Sequence, residues 1–231
     1  MAQTQPNEDS KSVRKIKLNR KSLHEQVAEE LREQIISGAM KPGEKLAVKE
    51  LALNIGVSLT PLREAIKLLA AENLIEIAPH RGASVALITV EQTRALFEVI
   101  AGIESLAAEL AAIRMTESER EELLELHEKM RSHSGDASPA RYFDCNRKIH
   151  DAIVEYARNP ILSEHREKLA QQAARVRFFA LKDMRRREEA LQEHEDLMRA
   201  FKERDADAAR RIWRKHLNGS GAQMICLLEN G

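Results

Sequence analysis

The sequence predicts a mainly α chain in two parts: an N-terminal winged helix-turn-helix and a C-terminal all-helical bundle of six or seven helices. Three observations carry this. Residues 49–69 hold two apolar-periodic segments joined across Gly56. Two short strand-like runs, at 72–77 and 83–88, flank the turn Pro79-His80-Arg81-Gly82. From Thr89 onward apolar residues recur at helical spacing, and no strand alternation appears.

The elements follow in order. Lys11, Arg14, Lys15, Lys17, Arg20 and Lys21 stand with no acid among them, so residues 1–20 read as a disordered basic tail, compatible with phosphate contact. Residues 22–37 form an amphipathic helix with Leu23, Val27, Leu31 and Ile35 inward, ended by Gly38 and the loop Lys41-Pro42-Gly43. A helix over 48–54 ends where Gly56 takes a positive φ. Ser58 or Thr60 caps the next helix, and Pro61 sits in its first turn, where a missing N–H costs little. Leu62, Ala65, Ile66 and Leu69 give that helix one buried face. The wing tip then carries His80, Arg81 and Gly82. Residues 21–88 make a DNA-binding unit, in which the second helix offers its N-terminal side chains to a major groove.

Residues 89–231 make the helical unit. Helices are expected over 90–115, from the capping box Thr116–Glu119 to about 131, over 139–157, over 161–181, over 185–203, and from 206 to about 218 after an Asp205 cap. Asn159-Pro160 separates two of them, and Gly219 and Gly221 are expected to break the last one before a short apolar tail.

Composition narrows the class. The formal net charge is +0, so overall charge does not announce a nucleic-acid partner, and local charge must. Cys145 and Cys226 form no CxxC and no disulfide framework, which fits a reducing cytoplasm. No apolar leader and no membrane-length run occurs, so no membrane partner is expected.

Asn146 and His150, four residues apart, share a helix face with the apolar Ile149, Ile153 and Val154 nearby. His194 and His216 lie on two later helices. Three imidazoles and an amide from three helices suit a divalent transition metal such as zinc, nickel or manganese in a bundle centre. The alternative is four ordinary core side chains, as expected for His24, His127, His133 and His165.

The whole arrangement resembles the GntR family of bacterial transcriptional regulators, in its FadR-like branch with an FCD effector domain. The matching pieces are residues 26–38, Lys41-Pro42-Gly43-Glu44-Lys45-Leu46, Glu50-Leu51-Ala52, Gly56-Val57-Ser58, Thr60-Pro61-Leu62-Arg63-Glu64-Ala65 and Arg81-Gly82. In the second unit they are Asn146 with His150, Asn159-Pro160, Glu193-His194 and Lys215-His216-Leu217. The resemblance implies a cytoplasmic homodimer on a palindromic double-stranded DNA operator. It implies a metal at Asn146, His150, His194 and His216 and a small organic-acid effector beside it. It places DNA reading at Lys49, Ser58, Leu59, Thr60 and Arg63, with His80, Arg81 and Gly82 at the wing.

Departures from the family pattern sharpen these expectations. Relatives usually carry Arg where Leu59 stands, and leucine cannot donate to guanine. Many carry Arg where Ile100 stands, in the effector pocket that Trp213 also borders. Asn146 stands where Asp is commoner. Three neutral imidazoles and an amide cancel no metal charge, so an anionic effector is expected to join the site. A repressor controlled by such an anion is the first functional expectation. A metal-dependent hydrolase with an accessory docking domain is the alternative, although Glu193 and Glu195 are expected on other helix faces than His194, leaving no general base. A helix-turn-helix serving only protein docking is the third.

Overall fold

The computed structural model describes residues 21–230. The basic tail expected over residues 1–20 therefore lies outside the described residues. The first part consists of α1 (Leu23–Ser37), α2 (Val48–Ile55), α3 (Leu59–Ala71), β1 (Ile75–Ala78) and β2 (Gly82–Val85). Gly38 and Gly56 end α1 and α2 in the left-handed region, at φ 77° and 78°, where a side chain would strain the backbone. Ser58 holds the N-cap position of α3 in extended geometry, but its hydroxyl makes no capping bond, and Thr60 lies within the helix. β1 and β2 pair antiparallel, Ile75 opposite Val85 and Ala78 opposite Gly82. His80 and Gly82, at φ 61° and 85°, carry the chain around the tip.

One apolar core holds this part together. Val27, Leu31 and Ile35 of α1 meet Leu62, Ala65, Ile66 and Leu69 of α3 and Ile75 and Val85 of the hairpin. A fully buried side chain of this kind contributes about 1.5–3 kcal/mol. Leu23 does not join them. It is 53% exposed at the first turn of α1, where no neighbouring element covers it.

The second part is a bundle of α4 (Val90–Arg114), α5 (Glu117–Ser132), α6 (Ala140–Tyr156), α7 (Pro160–Ala180), α8 (Met184–Glu203) and α9 (Ala206–Asn230). Local signals set the helix starts. Thr116 and Glu119 form the capping box of α5, and the Asn159 side chain accepts from Leu162 N–H at α7. Asp205 accepts from Ala208 N–H at the start of α9.

The expected break at Gly219 and Gly221 does not occur, and α9 runs through to Asn230. The tertiary contacts explain why these glycines are there. A Cβ on Gly219 would lie 3.0 Å from the Arg186 guanidinium, and one on Gly221 would lie 2.8 Å from the Phe97 ring. They give close approach of α8 and α4 to α9, which offsets the roughly 1 kcal/mol that each glycine costs a helix interior.

The two parts touch. Ile36 of α1 is buried with the bundle core, and a Cβ on Gly38 would fall 2.7 Å from Phe179 of α7. Arg175 of α7 donates from Nη1 to the Ala86 carbonyl at 2.8 Å.

Candidate metal centre and DNA-contact surface

α6, α8 and α9 bring His150, His194 and His216 together. One ring nitrogen from each lies within 4.8 Å of the others. Asn146 is one turn before His150 on α6, and all four side chains are buried. Trp213, one turn before His216, stacks on that imidazole at 4.6 Å between centroids and 11° between planes. Its ring also lies 4.3 Å from His150 and 5.1 Å from His194.

Two carboxylates orient this set. His150 Nδ1 lies 2.6 Å from Glu104 Oε2 of α4, and His216 Nδ1 lies 3.0 Å from Glu193 Oε2 of α8. Each pairing takes up Nδ1 and leaves Nε2 free. The Nε2 atoms of His150 and His216, both nitrogens of His194, and both polar atoms of the Asn146 amide are buried without a partner. Buried polar atoms are nearly always bonded. A convergent group of orphans, with histidines held by carboxylates through their far nitrogens, has the chemistry of a metal-ligand set. The residues present therefore fit a divalent ion.

The surrounding charges are dense. Glu104 also faces Arg166, at 3.0 Å, and Arg177, at 3.5 Å. Glu193 accepts from Arg186 at 2.8 Å. Burial works against both carboxylates' ionisation, yet His150, Arg166 and Arg177 hold Glu104 well below the ordinary carboxylate range. His216 and Arg186 hold Glu193 down to about 2. Burial pushes His150, His194 and His216 below the ordinary imidazole value, so their neutral forms are favoured. Neutral imidazole is the form that ligates metal.

These contacts bear on three expectations. Glu193 does leave the face of His194, but its own face meets α9 and reaches His216. Glu104 and Glu193 bring negative charge close to the ligand set, but Arg166, Arg177 and Arg186 already pair with them. Ile100 is fully buried in the bundle core, but a cation is present nonetheless: Arg177, fully buried on α7, has Nε and Nη1 without a hydrogen-bond partner. Glu104 lies 46 residues from His150, and Arg177 sits on another helix again. Only an unusual burden of charge on otherwise apolar helix faces could have signalled them.

His127 of α5 departs from the ordinary role expected of it. It is buried, its Nε2 has no partner, and its ring stacks at 6.4 Å on His194. His24, His133 and His165, by contrast, make local contacts.

The other candidate residues gather at α2, α3 and the wing. Lys49, Ser58, Thr60, Arg63, His80, Arg81 and Gly82 are exposed. Among the described residues, the Lys49, Arg63 and Arg81 side chains enter no ion pair (N···O within 4.0 Å) with the chain's own acids. Leu59 differs: it is half-buried and packs against the N-terminal core.

With this geometry in hand, comparison with known proteins is decisive. Residues 95–219 match the FCD domain, and residues 23–85 match the bacterial regulatory proteins of the gntR family. The chain belongs to the GntR family. It is a transcriptional regulator with a DNA-binding helix-turn-helix and an FCD domain of the kind that binds small-molecule effectors, and it is not an enzyme. The hydrolase reading is thereby set aside. Among its relatives is the transcriptional regulator McbR of Escherichia coli, 33% identical over 66% of this chain and 69% of that protein. The transcriptional repressor GlaR of the same organism is 30% identical over 81% of this chain and 89% of its own length. The solved structure of Escherichia coli McbR/YncC superposes with a TM-score of 0.76 at 28% identity, covering 90% of this chain and 98% of that one. Among the described residues, no helix is long and apolar enough to cross a membrane.

Proposed function

We propose that this regulator is a cytoplasmic repressor whose operator affinity is set by a small organic anion bound at a metal in the FCD domain. The observation that carries this is the convergence of three buried histidines, two of them tied through Nδ1 to Glu104 and Glu193. His150, His194, His216 and Asn146 hold the ion, which is zinc, nickel or manganese. When bound, the ion supplies a Lewis-acidic anchor for a carboxylate. Glu104 and Glu193 keep the imidazoles in the ligating tautomer and orientation. Arg177 brings a second positive group to the same buried region and takes over the part that an arginine at position 100 would play. Trp213 walls the pocket and excludes water.

Residues 21–88 form the DNA-binding unit and residues 89–231 the effector and dimerisation unit. A homodimer places two copies of α3 on a palindrome, because two-fold protein symmetry requires two related half-sites. Thr60 and Arg63 face base edges, Ser58 and Lys49 the backbone, and His80, Arg81 and Gly82 the backbone or minor groove. Leu59 packs inward at the start of α3, which removes one donor from the reading surface.

The test has two arms. Elemental analysis of protein purified without chelator should give about one divalent ion per chain, and His194→Ala should lose it. Trp213, the single tryptophan, should then report an added organic acid in metal-loaded protein and stay silent after chelation. Titration into Asn146→Asp should show weaker binding, since the new carboxylate cancels one unit of charge. Equal metal content in wild type and His194→Ala would refute the shared site, and anion binding equal in both position-146 forms would refute the charge argument. Selection of bound sequences from a random duplex pool gives the operator.

A further inference from the structure

A cleft of about 470 Å³ lies between the two parts of the molecule. Ile75 and Leu87 line it from the winged part, and Leu96, Val99 and Leu169 line it from α4 and α7. Arg175 of α7 lines it too and is only 3% exposed. Its Nη1 donates to the Ala86 carbonyl, while Nε and Nη2 have no partner. Those two nitrogens carry the parallel N–H pair on one edge of the guanidinium, the edge that grips a carboxylate with two hydrogen bonds. The Thr93 hydroxyl, in the same cleft, is also buried without a partner.

The other buried arginines each face a carboxylate or several carbonyls. Arg166, Arg177 and Arg186 each face a buried glutamate. Arg187 donates to three backbone carbonyls, and Arg120 donates to the Phe201 carbonyl and pairs with Glu117. Among the described residues Arg175 has no carboxylate within 4.0 Å and makes one hydrogen bond. The single acid along the cleft, Glu76, is exposed and does not pair with it. Burial without a counter-charge draws the Arg175 pKa down to about 10. An unpaired buried cation is costly unless an anion joins it.

We propose that this cleft binds a monocarboxylate with an apolar body, held side-on by Nε and Nη2 of Arg175, with the Thr93 hydroxyl as a further donor. One guanidinium matches one negative charge, and a dianion would be left half-compensated beside Glu76. The walls are mostly aliphatic, with Asn73, Gln92 and Gln172 among them, and suit an apolar body. The occupant touches the winged part and the bundle at once, so it fixes one arrangement of the two. The site shares no residue with the metal centre and does not rest on the metal reading.

Calorimetric titration with octanoate, and with 1-octanol as a neutral control, tests this on the full chain. Octanoate is expected to bind before and after chelation, and octanol at least tenfold more weakly. Arg175→Gln, which keeps a donor for the Ala86 carbonyl, should weaken octanoate at least tenfold. Val99→Trp fills the cleft from a position that is half exposed, leaves Arg175 in place, and should also abolish binding without lowering the melting temperature. Three results would overturn the proposal: no octanoate binding, equal affinity in wild type and Val99→Trp, or binding that disappears on chelation and so belongs to the metal centre.

Discussion

The two parts of this regulator have opposite interiors. Every buried polar or charged side chain among the described residues lies at or beyond Thr93, and the core of the winged part is purely apolar. The bundle buries Glu104, Glu193, Asn146, three histidines and a set of arginines within its hydrophobic frame. Apolar packing alone is enough to hold a reading helix in place, because the proposed DNA contacts lie on the surface. A ligand-sensing centre must put its polar groups inside, where burial makes each one expensive and the low dielectric makes each contact strong.

The hardest blow to that contrast is Glu104→Ala. It strands His150 and Arg177 in the core and leaves Arg166 with Asp151 alone, and loss of one member of a buried charge cluster costs about 3–5 kcal/mol. Denaturant unfolding should show a loss of this size. A loss no larger than that of a surface substitution would mean that water reaches the cluster and that the interior is not dry.

Metal removal comes next. An ion bound to the folded state alone, at a hundredfold excess over its Kd, stabilises by about 2.7 kcal/mol. Chelation should lower the melting temperature of the wild type and leave that of His194→Ala unchanged. Acid should act in the same direction on metal-free protein. Burial holds the folded-state pKa values of His150, His194 and His216 below the ordinary imidazole value of 6.5. Below that pH the unfolded chain therefore binds protons that the folded one does not, and stability falls as pH falls. Glu104 and Glu193 are depressed from 4.5, so their stabilisation is full above that value and is lost at lower pH still. Melting midpoints that stay flat from about pH 7 to pH 5 would contradict the buried neutral histidines.

The winged part should respond to substitution in affinity and not in stability. Arg63→Ala should cost about 1–3 kcal/mol of operator binding if it grips a guanine with two hydrogen bonds. Its unfolding should shift by less than about 0.5 kcal/mol, as for other exposed positions. Binding-shift titration and a melt on the same variant measure both. The reverse pattern would move the reading surface away from the start of α3.

Leu59→Arg is the smallest expected change and the finest test. Leu59 contributes to packing at the edge of the apolar core, and arginine would trade that contact for an exposed charge. Operator affinity should rise, and the salt slope should steepen by roughly one. An unchanged slope would show that position 59 keeps its side chain against the core whatever residue stands there.

How much of this was legible depends on the range of the interaction. Gly38, Gly56, Thr116, Asn159 and Asp205 act on backbone groups within four residues, so the helix boundaries at those places followed from sequence. The Asn146–His150 face was readable for the same reason, being one turn of α6. Gly219 and Gly221 were misread because their role lies in contacts with Arg186 and Phe97, on other helices. Leu23 was misread because periodicity gives a face and not what covers it.

The sequence by itself determined the helix-turn-helix and wing and the helical bundle, since periodicity, caps and glycine turns are local physics; it offered His150, His194 and His216 without showing that their helices meet. Tertiary structure alone decided that Glu104 and Glu193 hold His150 and His216, that Arg177 stands beside the centre, and that Arg175 is left unpaired in a cleft. Each of these depends on which helix faces meet. A helix face is written in residues three and four apart, but its partner is set by packing the whole chain at once.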